Sequence, residues 1–258
     1  MTEDETTASR QQGFALVELS IVLVIIGLVV GGAMVGKDLI RASEIKNIGA
    51  DIERFEAARN TFRSKYNCLP GDCPFASSLG LGNNGNGNGY INHYAASNEV
   101  WLFWRHLSNA GLIGGSYSGL SGPDGGANFD AVVGTNIPGS KISGVGYSLY
   151  TPAPAQTSWS PALDGFGKAR TLTDTVYIIG GDNPSNFYNT LDGFMSPIDA
   201  KTLDDKYDDG LANDGKWRVG SGSAIYNTIG CTSGVMPNYS YTNNGSTFCN
   251  VNYWFRSF

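Results

Sequence analysis

Gly13-Phe14-Ala15-Leu16-Val17-Glu18-Leu19-Ser20-Ile21-Val22-Leu23-Val24-Ile25-Ile26-Gly27-Leu28 is the stretch on which the reading of the whole chain turns. From Phe14 to Val35 the chain offers 22 residues with one ionisable side chain. At the standard helical rise that is about 33 Å, enough to cross a bilayer core. The ionisable residue is Glu18. A carboxylate inside such a run costs on the order of 3 kcal/mol on insertion scales, so it needs a partner or a proton. A cut between Gly13 and Phe14 would create an α-ammonium at the apolar end of the helix, and Glu18 of one copy could pair with the Phe14 amine of the next. The helix is then an assembly device.

Glycine, then an aromatic residue, then glutamate at the fifth position of an apolar run resembles the class III signal of type IV pilins and type II secretion pseudopilins. The resemblance spans Gly13 to about Val35. It implies that a prepilin peptidase cuts after Gly13 and methylates Phe14, and that Glu18 directs subunit register in a helical filament. It further implies a leader over residues 1–13, a transmembrane and assembly helix over 14–67 and an extracytoplasmic head over 68–258. The implied partners are the peptidase, other copies or related pilins, an inner-membrane assembly platform and, before assembly, the lipid bilayer. The implied location is the inner membrane of a Gram-negative bacterium with the head in the periplasm, followed by a periplasmic pseudopilus or a cell-surface pilus. An ordinary signal anchor with a stray glutamate is the alternative. A cleaved secretory signal fits less well, because no A-x-A pattern closes the run. One feature departs from the pattern: Glu3, Asp4 and Glu5 precede the run against Arg10, whereas Lys37 and Arg41 follow it, the reverse of the positive-inside preference.

Charged residues make up 16% of the chain, and 35 glycines and many asparagines stand in their place. This is a loop-rich, extracytoplasmic composition. The net charge of −6 and the lack of a basic cluster predict no nucleic-acid partner. Four cysteines fall as two local pairs, Cys68 with Cys73 and Cys231 with Cys249. An even count in an exported domain reads as disulfides, and of the three pairings sequence proximity favours the two local ones. Neither pair has C-x-x-C spacing, and only His93 and His106 could add imidazole, so a metal site built on cysteine is a weak alternative.

Beyond Val35 the residues Ile45, Ile48, Ile52, Phe55, Phe62 and Tyr66 recur at helical spacing, with charged residues on the other faces. One helix from about Ala15 to Tyr66, about 80 Å long, is expected, with Asn67 and Pro70 as its stop. Two helices with a break near Gly36 are the alternative. The segment Leu69-Pro70-Gly71-Asp72 resembles one that follows the long helix in many prepilin-like proteins. Asn84, Asn86 and Asn88, followed by Gly89 and Ile91, echo the first half of an EF-hand loop without carboxylates or its second half, so an Asn-Gly turn cluster is the competing reading. A short helix capped by Ser97 or Asn98 and ended by Gly111 comes next, then a Gly/Ser/Asn-rich loop from Gly114 to Gly144. Strands are expected at Val145 to Tyr150, Thr173 to Ile179 and Phe248 to Phe255, and a helix from Ser196-Pro197 to about Lys206.

That last helix leads into the most acidic stretch, whose Asp205, Lys206, Asp208, Asp209 and Gly210 resemble an Asp-Lys-x-Asp-Asp-Gly element of the same prepilin-like group. Major pseudopilins bind calcium in a C-terminal loop, so the resemblance makes Asp205, Asp208 and Asp209 the candidate calcium ligands; a solvated acidic turn is the alternative. The Cys231 to Cys249 segment resembles the disulfide-bounded region of many pilins, and a bond closing a loop of about 17 residues would stabilise by about 3 kcal/mol in the chain-entropy model. Catalytic signatures are missing: there is no G-x-S-x-G, no H-E-x-x-H and no P-loop, and only two histidines. The expectation is a structural subunit that is not an enzyme and requires no cofactor. The competing class is a membrane-anchored enzyme or binding domain that does not assemble. The implied fold class is α+β, a long N-terminal helix packed on an antiparallel β-sheet head, pilin-like.

Overall fold

The computed structural model describes residues 5–92, 98–122, 131–150, 174–181, 193–212, 214–219, 231, 249 and 251–256, with side chains from Leu16 onward. A single helix, α1, runs over Glu5–Tyr66. It starts earlier than expected because nothing between Thr6 and Gln12 is a glycine or proline that would break it. No break occurs at Gly36. The chain divides into two compact units, Met1–Ile45 and Lys46–Phe258, so the second part of α1 belongs to the head.

In the head unit, Ile48, Ile52, Phe55, Ala58 and Phe62 of α1 are buried, as their three- and four-residue spacing requires. Asn67 ends the helix in the left-handed conformation at φ 52°, its N–H donating to the Arg63 carbonyl at 2.8 Å. Then follow α2 (Glu99–Asn109), β1 (Val145–Tyr150), β2 (Asp174–Gly181), α3 (Pro197–Tyr207), β3 (Trp217–Val219) and β4 (Val251–Arg256). The four strands form an antiparallel sheet in the order β1-β2-β4-β3. The short strand β3 is an addition to the sequence reading.

Alternate strand residues face the helices. Tyr147, Tyr177, Tyr253 and Trp217 share one face by register. The Phe55 ring lies 5.1 Å from Tyr147, 5.0 Å from Trp104 of α2 and 6.2 Å from Tyr177. Tyr177 also meets Phe103, Trp104 and Phe255. The other face of the sheet, with Ser148, Val176, Ile178 and Asn252, is buried as well. Charged groups on the covered side of α1 are paired. Arg59 bonds Glu56 at 2.8 Å and lies over the Phe255 ring at 4.2 Å, and the Tyr147 hydroxyl donates to Asp51 at 2.8 Å.

The loop-rich part after α1 is organised by side chains of α2. Gly71 has φ 88°, and a Cβ there would run into the Glu99 carbonyl, so only glycine lets this turn lie on the start of α2. The Gly71 N–H donates to His106 Nδ1 at 2.9 Å, and His106 Nε2 bonds the Asn83 carbonyl at 2.8 Å. His106 is therefore the neutral Nε2–H tautomer, and burial holds its pKa below the usual value. Glu99 accepts the Asn86 N–H at 2.9 Å and the Asn92 N–H at 2.6 Å. Asp72 accepts Asn88 N–H and Gly89 N–H at 3.1 and 2.8 Å. The Cys68–Cys73 disulfide closes the same turn.

Helix α3 is capped by Ser196, which accepts the Asp199 N–H at 3.2 Å, with Pro197 at its first position. Its last residue, Tyr207, lies on Gly49 of α1 and donates its hydroxyl to the Lys46 carbonyl at 3.3 Å. A Cβ at Gly49 would run into the Tyr207 ring.

Two outcomes follow from these contacts. Gly49→Ala gains up to about 1 kcal/mol of helix propensity but overpacks the Tyr207 contact, which costs about 1–3 kcal/mol. Thermal unfolding should thus show a lower Tm, and the loss should vanish when Tyr207→Ala is introduced as well; a raised Tm for Gly49→Ala alone would contradict this packing. The second outcome concerns Glu99. Burial lifts its carboxyl from 4.5 to about 7, the amide donors of Asn92 and Asn86 opposing and the Asp72 charge adding to the rise. In that window the folded state holds a proton that the unfolded chain has released, so stability present below pH 4.5 is lost as pH rises through about 7. Asp72 shifts the same way and His106 the opposite way. The Tm of Glu99→Gln relative to the parent should therefore climb as pH rises from 4.5 to about 7. A flat difference would show that Glu99 does not titrate there.

Candidate functional site

The first candidate is the N-terminal part of α1. Leu16–Tyr66 is a helix long and apolar enough to cross a membrane. Between Leu16 and Ile40 every large apolar side chain is at least half exposed, Leu28 at 71% and Val22 at 50%. Soluble proteins rarely leave contiguous apolar surface of this extent uncovered. Gly13 and Phe14 lie in the helical backbone. Glu18 is exposed one turn further on, between Val17 and Leu19. Helical side chains tilt towards the N-terminus, which aims the Glu18 carboxylate at the turn carrying Phe14. An amine created at Phe14 would then stand within about one helical turn of the Glu18 carboxylate. Ser20, the other polar residue here, donates to the Val17 carbonyl at 2.8 Å and so keeps its hydroxyl on its own helix.

The second candidate is the acidic turn after α3. Asp204, Asp208 and Asp209 can each offer an oxygen, all within 4.8 Å of one another. Asp205 points elsewhere: Lys201 Nζ donates to its two oxygens at 2.5 and 2.6 Å. The i, i+4 spacing of Asp204 and Asp208 is the signal that places them on one side, and it puts Asp205 with Lys201 by the same rule. Asp204 is buried, whereas Asp209 is exposed. Asp208 Oδ2 accepts the Lys216 N–H and, at 2.9 Å, the Trp217 N–H. Asp209 Oδ1 accepts the Leu211 N–H at 2.9 Å. Part of this negative charge therefore serves the backbone at the start of β3, and the remaining oxygens suit a hard cation such as calcium.

The asparagine tract does not converge on a point where a cation would sit. Asn84, Asn86 and Asn88 turn their oxygens to the N–H groups of Ser77, Asn88 and Tyr90 at 2.8, 2.9 and 2.9 Å. The Asn86 and Asn88 bonds are Asx-type turns, whereas Asn84 reaches back to the 3-10 turn at Ser77. Cys231 and Cys249 are bonded, and Cys249 also exchanges backbone hydrogen bonds with Met195 at the start of α3. His106 is engaged at both ring nitrogens; His93 lies outside the described residues.

Comparison with known proteins bears on the first candidate alone. No curated protein and no solved structure matches the chain. Residues 8–34 match the family model for the prokaryotic N-terminal methylation motif. The chain thus carries a prepilin-type methylation motif around Gly13, Phe14 and Glu18, in keeping with the type IV pilin and pseudopilin resemblance of this segment.

Proposed function

We propose that this protein is a structural subunit of a helical filament, a type IV pilus or a type II secretion pseudopilus. A prepilin peptidase cuts it after Gly13 and methylates Phe14, and assembly follows through α1. The observation that carries the reading is the coincidence of the methylation motif with an apolar helix surface that the described residues leave uncovered. In the bilayer, lipid covers that surface; in the filament, the helices of other copies or of related pilins do. Small residues at Gly27, Gly31, Gly32 and Gly36, where nothing lies within 4 Å of a Cβ, permit close helix approach. Glu18 meets the Phe14 amine of a neighbour, which satisfies a charge that would otherwise be costly in an apolar setting and fixes register. The inner membrane, with the head in the periplasm, is the place of synthesis, and an assembly platform there delivers the subunit to the filament. The function is structural, without a catalytic centre, and needs no cofactor; a membrane-anchored domain that never assembles is the reading it must beat.

Intact mass with and without a prepilin peptidase tests the first step. A loss matching residues 1–13 together with a gain of one methyl group is expected, and Gly13→Ala should abolish it. Glu18→Ala should leave cleavage in place and remove assembly. A chain left whole beside an active peptidase would refute the proposal. Calcium at Asp204, Asp208 and Asp209 is tested separately on the full chain in detergent. Calcium should raise the Tm relative to chelator, and Asp208→Asn should reduce the rise; no calcium dependence would leave the turn as a backbone anchor for β3.

A further inference from the structure

We propose that the tract Asn84-Gly85-Asn86-Gly87-Asn88-Gly89 is a deamidation site held latent by the Asp72–Cys73 turn, with the Asp72 carboxylate guarding Asn88. Three consecutive Asn-Gly pairs are the sequence in which an asparagine side chain is most open to its own backbone, because the following glycine has no Cβ to block approach. In the reaction the glycine nitrogen loses its proton and attacks the asparagine Cγ. A five-membered succinimide forms and ammonia leaves with the proton. Water then opens the ring at either carbonyl, giving aspartate or isoaspartate. Ammonia is lost and water gained, with no change of oxidation state.

The structure puts restraint on the nucleophile at each of the three steps. Gly85 N–H donates to the Cys73 carbonyl at 2.9 Å and Gly87 N–H to the Asp72 carbonyl at 3.1 Å. Gly89 N–H donates to Asp72 Oδ2 at 2.8 Å. A donated amide proton is harder to remove, and beside a carboxylate the resulting anion is opposed by charge as well. The electrophiles receive no such protection. Asn84, Asn86 and Asn88 are exposed, and their side-chain carbonyls accept hydrogen bonds, which draws electron density from Cγ. The chemistry is thus poised on one partner and checked on the other. The check rests on a turn closed by Cys68–Cys73, so loss of that bond would release all three sites. Each conversion adds a carboxylate to a loop already wrapped around Asp72 and Glu99.

Asp72→Ala separates the sites, because Gly85 and Gly87 donate to backbone carbonyls that the substitution retains. The full chain is held in mildly alkaline buffer, and deamidation at each asparagine is followed by peptide mass and isoaspartate content. In the oxidised parent all three asparagines should convert about tenfold or more slowly than in the same chain reduced and unfolded in urea. Asp72→Ala should speed Asn88 by about tenfold and leave Asn84 and Asn86 at the parent rate. If Asp72→Ala speeds all three, Asp72→Asn, which keeps an acceptor oxygen without the charge, decides: a rise confined to Asn88 sustains the proposal, and a uniform rise or none overturns it. Equal rates in folded and unfolded parent chain would also overturn it.

Discussion

Contact between the Ile48, Ile52, Phe55 and Phe62 stripe and the sheet is the interaction on which the head depends. Phe55 makes this concrete, since its ring meets side chains from α2, β1 and β2 at once. Truncating a side chain in such a position typically costs about 3–5 kcal/mol, a large share of the roughly 5–15 kcal/mol that holds an ordinary domain folded. The ionisable residues beside the stripe are consistent with that importance. Glu56 is pushed above its ordinary value by burial, with the Arg59 charge pulling it back. Arg59 covers the Phe255 ring with its guanidinium plane, so its long side chain packs as well as pairs. The second part of α1 is therefore a core element of a globular domain, whereas the first part carries apolar surface of the same character that the described residues leave uncovered.

Among the described residues of the head, the turn after α1 and the asparagine tract have little regular structure, and their backbone donors must still be satisfied. Three side chains do this work near α2. Asp72, Glu99 and His106 together bond five backbone N–H groups and one carbonyl of the turn and the asparagine tract, at sequence separations of no more than 35 residues. The cluster is local in sequence, which keeps its loop-closure cost small. Two acids so close are compatible because burial and mutual repulsion favour the protonated form of Glu99, while the Asp72 oxygens are held by amide donors. The Cys68–Cys73 bond pins the turn itself, and Cys231–Cys249 joins two buried cysteines elsewhere in the head.

The parts of this structure set by local pattern were legible in the sequence. The apolar run with Glu18, the stripe from Ile48 to Phe62, the capped start of α3 and the strand at Val145–Tyr150 each carry their own periodicity or cap, and each appears where that pattern puts it. The parts set by partners distant in sequence were not. Strand β3 has three residues, too few for alternation to register, and exists because β4 pairs with it and Asp208 holds its first amides. Asn98 precedes α2 as expected but sits in the left-handed region, without a capping side-chain bond, and the Glu99 side chain bonds Asn86 and Asn92. The asparagines resembled cation ligands by spacing alone. Their oxygens are taken by neighbouring amides, a use that spacing does not distinguish from ligation. Asp205 lost its place beside Asp208 to a rule that was readable, the i, i+4 pair with Lys201.

The two surfaces of α1 make different demands on sequence. The stripe from Ile48 to Phe62 must match one particular sheet, so a change there has to be accommodated by Tyr147, Tyr177 or Trp104. The run from Leu16 to Ile40 needs only an apolar surrounding, which lipid tails and identical helices both provide, so hydrophobicity and small residues suffice over most of its length. Glu18 is the exception, because a charge distinguishes one register from the next where aliphatic side chains do not. Lipid cannot neutralise that carboxylate, whereas an amine at a fixed position can. An anchor with no further role would be more stable in the membrane with leucine at this position. A glutamate beside a methylation motif is thus the feature that would distinguish the proposed assembly helix from a simple anchor.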